Sequence, residues 1–109
     1  MGLLAKLRKR PGSTRSVGRG DEAHLRAWAA AHEGVESFVE PRTTVTETTM
    51  LLVDRDGVWT RRRVTGPAAA RRLGRELGIP VYDVQLVGYP KRMRDHNARQ
   101  RILRRRAKG

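Results

Sequence analysis

The residues in this chain with the plainest chemistry to offer are its arginines. There are 20 arginines against 4 lysines, and the formal net charge is +13. A guanidinium is always protonated and presents a planar fork of donors that matches a phosphate, so clustered arginines point to polyanion binding. A GC-rich genome produces the same bias of arginine over lysine, so position says more than type. Residues 91–109 carry nine Lys/Arg and one acid: Lys91, Arg92, Arg94, Arg99, Arg101, Arg104, Arg105, Arg106 and Lys108, against Asp95. Residues 1–20 carry six Lys/Arg and no acid, with Lys6, Arg8, Lys9 and Arg10 in one short run. The 70 residues between hold nine arginines against ten acids, a net of −1. A nearly neutral globule with two basic arms is expected, and such arms are neutralised when they release counterions from a nucleic-acid backbone. The alternative for the C-terminal arm is a solubilising tail.

A third set lies inside the globule. Trp59, Arg61 and Arg63 alternate along one face of a predicted strand, an arrangement in which the indole stacks a base and the guanidiniums meet phosphates. The competing reading keeps Trp59 over the core and pairs the arginines with acids such as Glu47 across the sheet.

Catalytic constellations are absent from the sequence pattern. With no cysteine, thiol catalysis, disulfides and zinc–thiolate sites are excluded. His24 and His32 stand eight apart on one predicted helix, about 12 Å along its axis, too far to share a metal. Ser13, Ser16 and Ser37 have no neighbouring base in sequence. Neither a dinucleotide fingerprint nor a phosphate-cradling loop occurs. No cofactor and no metal are expected, and an enzyme would need a site assembled only in three dimensions.

The elements that must position these residues follow from periodicity. At 109 residues there is room for one domain. The chain divides into a basic arm (1–20), a compact α+β core (21–90) and a basic C-terminal helical arm (91–109). In the first arm, Leu3, Leu4 and Leu7 line a short marginal helix that Pro11 stops. Asp21 reads as the N-cap of a helix whose apolar stripe is Leu25, Trp28, Ala29 and His32, closed near Gly34. Val35 to Glu40 reads as an edge strand.

The stretch from Pro41 to Val64 reads as a β-hairpin. Alternation through Thr44 to Val53, the turn Asp54-Arg55-Asp56-Gly57 and a return over Val58 to Val64 carry that expectation. Gly66-Pro67 opens a second helix with Pro67, Ala70, Leu73 and Leu77 buried and Arg71, Arg72 and Arg75 outward, ending at Gly78. Val81 to Val87 reads as a fourth strand joined by a βαβ crossover. The expected order is α-β-β-β-α-β-α: a small sheet with an antiparallel hairpin, one crossover and a basic C-terminal helix. Only the first turns of that last helix, through Met93, have an apolar anchor. Its distal half is expected to fray unless an anion is bound.

Two resemblances add to this reading. The α-β-β-β-α order resembles the double-stranded-RNA-binding domain, although Gly66-Pro67-Ala68-Ala69-Ala70 stands where that domain has a lysine cluster. The chain is also similar to a family of small, uncharacterised actinobacterial proteins. The likeness runs through Val39-Glu40-Pro41-Arg42-Thr43-Thr44-Val45-Thr46-Glu47-Thr48-Thr49 and Trp59-Thr60-Arg61-Arg62-Arg63-Val64. It continues through Leu77-Gly78-Ile79-Pro80-Val81-Tyr82-Asp83-Val84, Gly88-Tyr89-Pro90 and Arg92-Met93-Arg94-Asp95. This resemblance implies a bacterial, cytoplasmic protein; some members are described as oxidoreductases, and it implies no particular active residues.

No apolar run approaches the roughly 20 residues that span a bilayer. The start MGLLAKLRKR has too short an apolar stretch for a secretory signal, and Lys6 stands where a myristoylation pattern wants Ser or Thr. A transit peptide is a minor alternative. The expected function is therefore a non-enzymatic, arginine-rich RNA-binding protein of the cytoplasm, RNA being favoured over DNA, with the ribosome as a possible location. The alternatives are an adaptor for an acidic protein or an anionic membrane surface, and an enzyme.

Overall fold

A computed structural model of the protein describes residues 19–108. The run with Lys6, Arg8, Lys9 and Arg10, and the leucines beside it, lies outside the described residues. The elements are α1 (Arg19–Ala31), β1 (Glu36–Glu40), β2 (Thr49–Val53), β3 (Trp59–Arg63), α2 (Pro67–Leu77), β4 (Val81–Asp83), α3 (Val84–Val87) and α4 (Lys91–Lys108). The class is α+β with a mixed four-stranded sheet, in the order β3-β2-β1-β4.

β2 pairs antiparallel with both β1 and β3, and β1 pairs parallel with β4. β3 and β4 therefore run the same way, and α2 carries the chain across two strands between them. The expected crossover is present, but β4 lies beside β1. That placement makes β1 an interior strand, and the expectation of an edge strand is corrected. A short run with Phe38 and Val39 both buried suits a strand covered on two faces.

Period-two alternation sorts the core into two clusters. On one face, Val39 of β1 and Met50 and Leu52 of β2 meet Leu25 of α1 and Ala70 and Leu73 of α2. On the other, Phe38, Leu51 and Val53 meet Met93 of α4, with Trp59 and Val84 packed against them. β2 thus has no solvent face: Met50, Leu51, Leu52 and Val53 are all fully buried. The boundary placed at residue 90 divides this second cluster, because Met93 completes it.

The helix stripes follow the sequence pattern with two exceptions. Pro67 is exposed, and Gly74 is buried in its place. A Cβ on Gly74 would stand 2.2 Å from Val81 Cγ2, so glycine is what lets α2 approach β4. α1 begins at Arg19, so Asp21 and Glu22 lie in its first turn rather than at a cap. They remain favourably placed against the helix dipole there.

The hairpin is shorter than its alternation suggests. Pro41 to Thr48 is a loop, in which Thr43 Oγ1 accepts from the amides of Val45 and Thr46. Threonine hydroxyls that bond locally compete with strand pairing. Val81 to Val87 is likewise a three-residue strand followed by one helical turn, because Asp83 accepts from the Gln85 amide at 2.8 Å and starts a helix where the strand would have continued. α4 is continuous to Lys108, so the expected fraying of its distal half is corrected. Its residues favour helix, and Arg105, Arg106 and Lys108 sit in the last turn, where the dipole favours cations.

The turn after β2 seats α4. Asp54 Oδ1 accepts from the amides of Asp56 and Val58 at 2.8 and 3.0 Å, an Asx-type arrangement. Gly57 is buried with φ +90°, and a Cβ there would stand 2.1 Å from the carbonyl oxygen of Arg92. Gly57→Ala should therefore destabilise the fold by at least about 1–3 kcal/mol from backbone strain alone, with the clash against α4 adding to it. Gly20→Ala is the matched control, since a Cβ there meets nothing within 4 Å. Urea unfolding of the two variants checks this: a large loss is expected for the first and little change for the second.

Candidate nucleic-acid interface

The sheet register shows which face each arginine of β3 occupies. Trp59 pairs with Val53, Arg61 with Leu51 and Arg63 with Thr49, so all three share the α4 side of the sheet. The expected common face is real. Its arginines, however, have acidic partners. Arg61 binds Glu40 with both arms of its fork, Nε to Oε1 at 2.7 Å and Nη2 to Oε2 at 2.8 Å. Thr49 donates to Glu40 Oε1 at 2.6 Å, and the Tyr89 hydroxyl donates to Oε2. Arg63 stands 3.9 Å from Glu47. The reading in which these arginines pair across the sheet describes what this face does.

Glu40 is the centre of that cluster, and sequence reasoning missed it. Its partners stand 9, 21 and 49 residues away, with no local pattern to announce them. Burial by itself would raise its carboxyl pKa, but the donors from Arg61, Thr49 and Tyr89 outweigh it and hold the group below its ordinary value. Tyr89 is shifted the other way, upward, by burial first and then by its bond to the carboxylate. The cluster borders a cleft of about 450 Å³ that also meets Thr43 and Thr46. With both carboxylate oxygens doubly occupied, the cluster closes the sheet face and leaves Glu40 no spare lone pair aimed at chemistry.

Trp59 plays two parts. Its ring packs against the second core cluster, and Arg61 Cζ lies 5.1 Å from its centroid. Its Nε1 donates to Asn97 Oδ1 of α4 at 2.8 Å. It also walls a cleft of about 400 Å³ whose other side is α4, with His96, Asn97, Gln100, Arg101 and Arg104. His96, Asn97 and Gln100 were not singled out from the sequence. The signal was available: they follow Met93 at i+3, i+4 and i+7, so the buried methionine fixes the side of α4 that looks at the sheet.

The basic residues of α4 divide into two groups. At the start of the helix they build the fold. Arg92 Nε donates to the Asp54 carbonyl at 2.7 Å and its Nη2 to Glu36 Oε1 at 2.7 Å. Lys91 binds Asp95 at 2.8 Å. Beyond Asn97 the helix leaves the sheet, and residues 101–108 are all exposed. Arg94, Arg99, Arg101, Arg104, Arg105, Arg106 and Lys108 enter no ion pair among the described residues. Arg101, Arg104, Arg105 and Lys108 recur at i, i+3, i+4 and i+7 and alone line a groove of about 280 Å³. That spacing normally marks an apolar stripe; here it is a stripe of cations.

The remaining acids explain why those cations stand alone. Glu22 and Glu76 hold Arg26 and Arg72 in a ring that joins α1 to α2, so Arg72 does not point away as its helix position suggested. Arg62 reaches Asp21 at 3.8 Å, and Arg55 reaches Glu33 at 3.0 Å. The histidines are separately engaged. His24 Nε2 is hydrogen-bonded to Thr60 Oγ1 at 2.7 Å, and His32 stacks on Trp28.

No described helix is long and apolar enough to cross a membrane. No family model, curated protein or solved structure compared with the chain matches it.

The Glu40 cluster makes a pH-dependent contribution with a definite sign. A carboxyl whose folded pKa is depressed stabilises the fold above its ordinary value of 4.5 and loses that contribution as the pH falls through the lowered folded value. Glu40→Gln should be less stable than the parent chain at neutral pH, and the gap should narrow in strongly acid buffer. Urea unfolding at both pH values checks it; an unchanged gap would place the stabilisation elsewhere.

Proposed function

We propose that this protein binds RNA in the cytoplasm through the exposed half of α4, which lies along the phosphate backbone. The observation that carries this reading is the groove lined only by Arg101, Arg104, Arg105 and Lys108, none of which enters an ion pair among the described residues. Like charges four apart on a helix repel by about 0.2–0.5 kcal/mol each, so Arg101–Arg105 and Arg104–Lys108 are at odds until an anion lies between them. Phosphates relieve that repulsion and release counterions as they bind. Arginine's planar fork suits each phosphate better than a lysine would. The globule contributes position: Arg92, Gly57 and Met93 set the direction in which the helix leaves the sheet.

The membrane-surface alternative rests on Leu3, Leu4 and Leu7, which lie outside the described residues; on α4 it would need one apolar side. Ile102 and Leu103 are exposed, at 40% and 54%, but Arg99 and Arg106 fall between them around the helix. The exposed half therefore has no continuous apolar side to enter a lipid interface. A highly acidic protein surface would meet the same groove, and it is the reading favoured if the parent chain fails to bind RNA in the titration below.

Replacing Arg101, Arg104, Arg105 and Lys108 together by glutamine should leave the fold intact, since all four are exposed and unpaired. Each lost phosphate contact should reduce the slope of log affinity against log salt by about 0.7–0.9, so roughly 3 in total. Replacing Arg42, Arg71 and Arg75 instead should leave the slope nearly unchanged. Anisotropy titrations across a salt series check both. Equal binding by the parent and the four-site variant would sink the reading.

A further inference from the structure

The cation groove and the Trp59 cleft are neighbours that share Arg101 and Arg104 in their walls. Resting on the phosphate-binding reading of α4, we infer that the cleft between Trp59 and α4 takes one unpaired base of single-stranded RNA. The adjoining phosphates of that strand run along Arg101, Arg104, Arg105 and Lys108.

Two features of the cleft point to an unpaired base. Its volume of about 400 Å³ falls within the range of about 300–1,000 Å³ usual for small-ligand sites. Its walls differ in kind: Val58 and the indole of Trp59 are apolar, while Asn97 and Gln100 are carboxamides. A flat aromatic ring with a polar edge has that same division.

The amide geometry is set by the indole. Trp59 Nε1 is a donor only, so the atom of Asn97 that receives it at 2.8 Å is Oδ1. Among the described residues, the Nδ2 amide hydrogens and the second lone pair of Oδ1 have no other partner and remain for a ligand. Gln100 makes no side-chain hydrogen bond among the described residues, so its donors and acceptor also remain. Carboxamides read base edges because donor and acceptor stand side by side at the spacing of the base's own groups. In a duplex the Watson–Crick edges are already paired, and in A-form RNA the deep, narrow major groove keeps side chains from reaching the other edge. A cleft that offers two carboxamides beside a cation track therefore favours a single strand over a duplex.

The test uses the full chain, a labelled single-stranded oligoribonucleotide of mixed sequence and the blunt duplex it forms with its complement. Gln100→Ala should weaken binding of the single strand about tenfold, in line with the loss of one base-edge contact. It should leave the salt slope and duplex binding unchanged, and unchanged duplex binding also reports that the variant is folded. If the variant binds both RNAs as the parent does, or loses both equally, the base site is overturned while phosphate binding by α4 stands. If the parent chain binds neither RNA at moderate salt, the phosphate reading falls and the base site with it.

Discussion

The close approach of Gly57 to the backbone of Arg92 is the constraint on which the seating of α4 against the sheet depends. Only a residue without a Cβ, in a backbone conformation of positive φ, lets the β2–β3 turn close to within touching distance of α4. Asp54 shapes that turn from one side through its carboxylate, and its carbonyl receives Arg92 from the other. Arg92 then continues to Glu36 on β1. One guanidinium thus ties a turn, a strand and a helix together, with its charge matched by Glu36. Met93, next in sequence, buries its side chain against Phe38, Leu51 and Val53. The first turns of α4 are therefore held by packing and charge together, and the rest of the helix points where those turns send it.

Charge sorting completes the design. The acids are concentrated where layers meet: Glu22 and Glu76 between α1 and α2, Glu36 under Arg92, Glu40 under Arg61. Exposed ion pairs of this kind contribute little each, about 0–1 kcal/mol, and the apolar clusters hold the fold. The effect on the surface is larger than the effect on stability. Most of the globule's acids pair with its own arginines, and among the described residues none lies within ion-pair distance of Arg101, Arg104, Arg105 or Lys108, so their field stays open to a polyanion.

Much of this was legible in the residues. The turn Asp54–Gly57, the stripe Leu25–Trp28–Ala29, the stop at Gly78 and the basic character of 91–108 depend on local spacing and side-chain type, which a sequence displays directly. The mistaken boundaries share a cause. Thr43 to Thr48 alternate like a strand, but their hydroxyls bond within the loop. Val84 to Val87 look like the end of a strand, but Asp83 starts a helical turn. In each case a short-range side-chain bond overrode a period-two pattern, and periodicity alone cannot see such a bond.

What the sequence determined by itself was the charge partition and the class: a near-neutral α+β globule with a basic helix following it. Both are sums over local properties. Only the tertiary structure decided which arginines are available. Arg61, Arg72 and Arg92 look no different in sequence from Arg101, Arg104 and Arg105. The first three face Glu40, Glu22 and Glu36 across gaps of 21, 50 and 56 residues, and the other three enter no ion pair among the described residues. The physical reason is that an arginine's availability depends on the distance to the nearest carboxylate, and that distance is fixed by strand register and helix docking rather than by position along the chain.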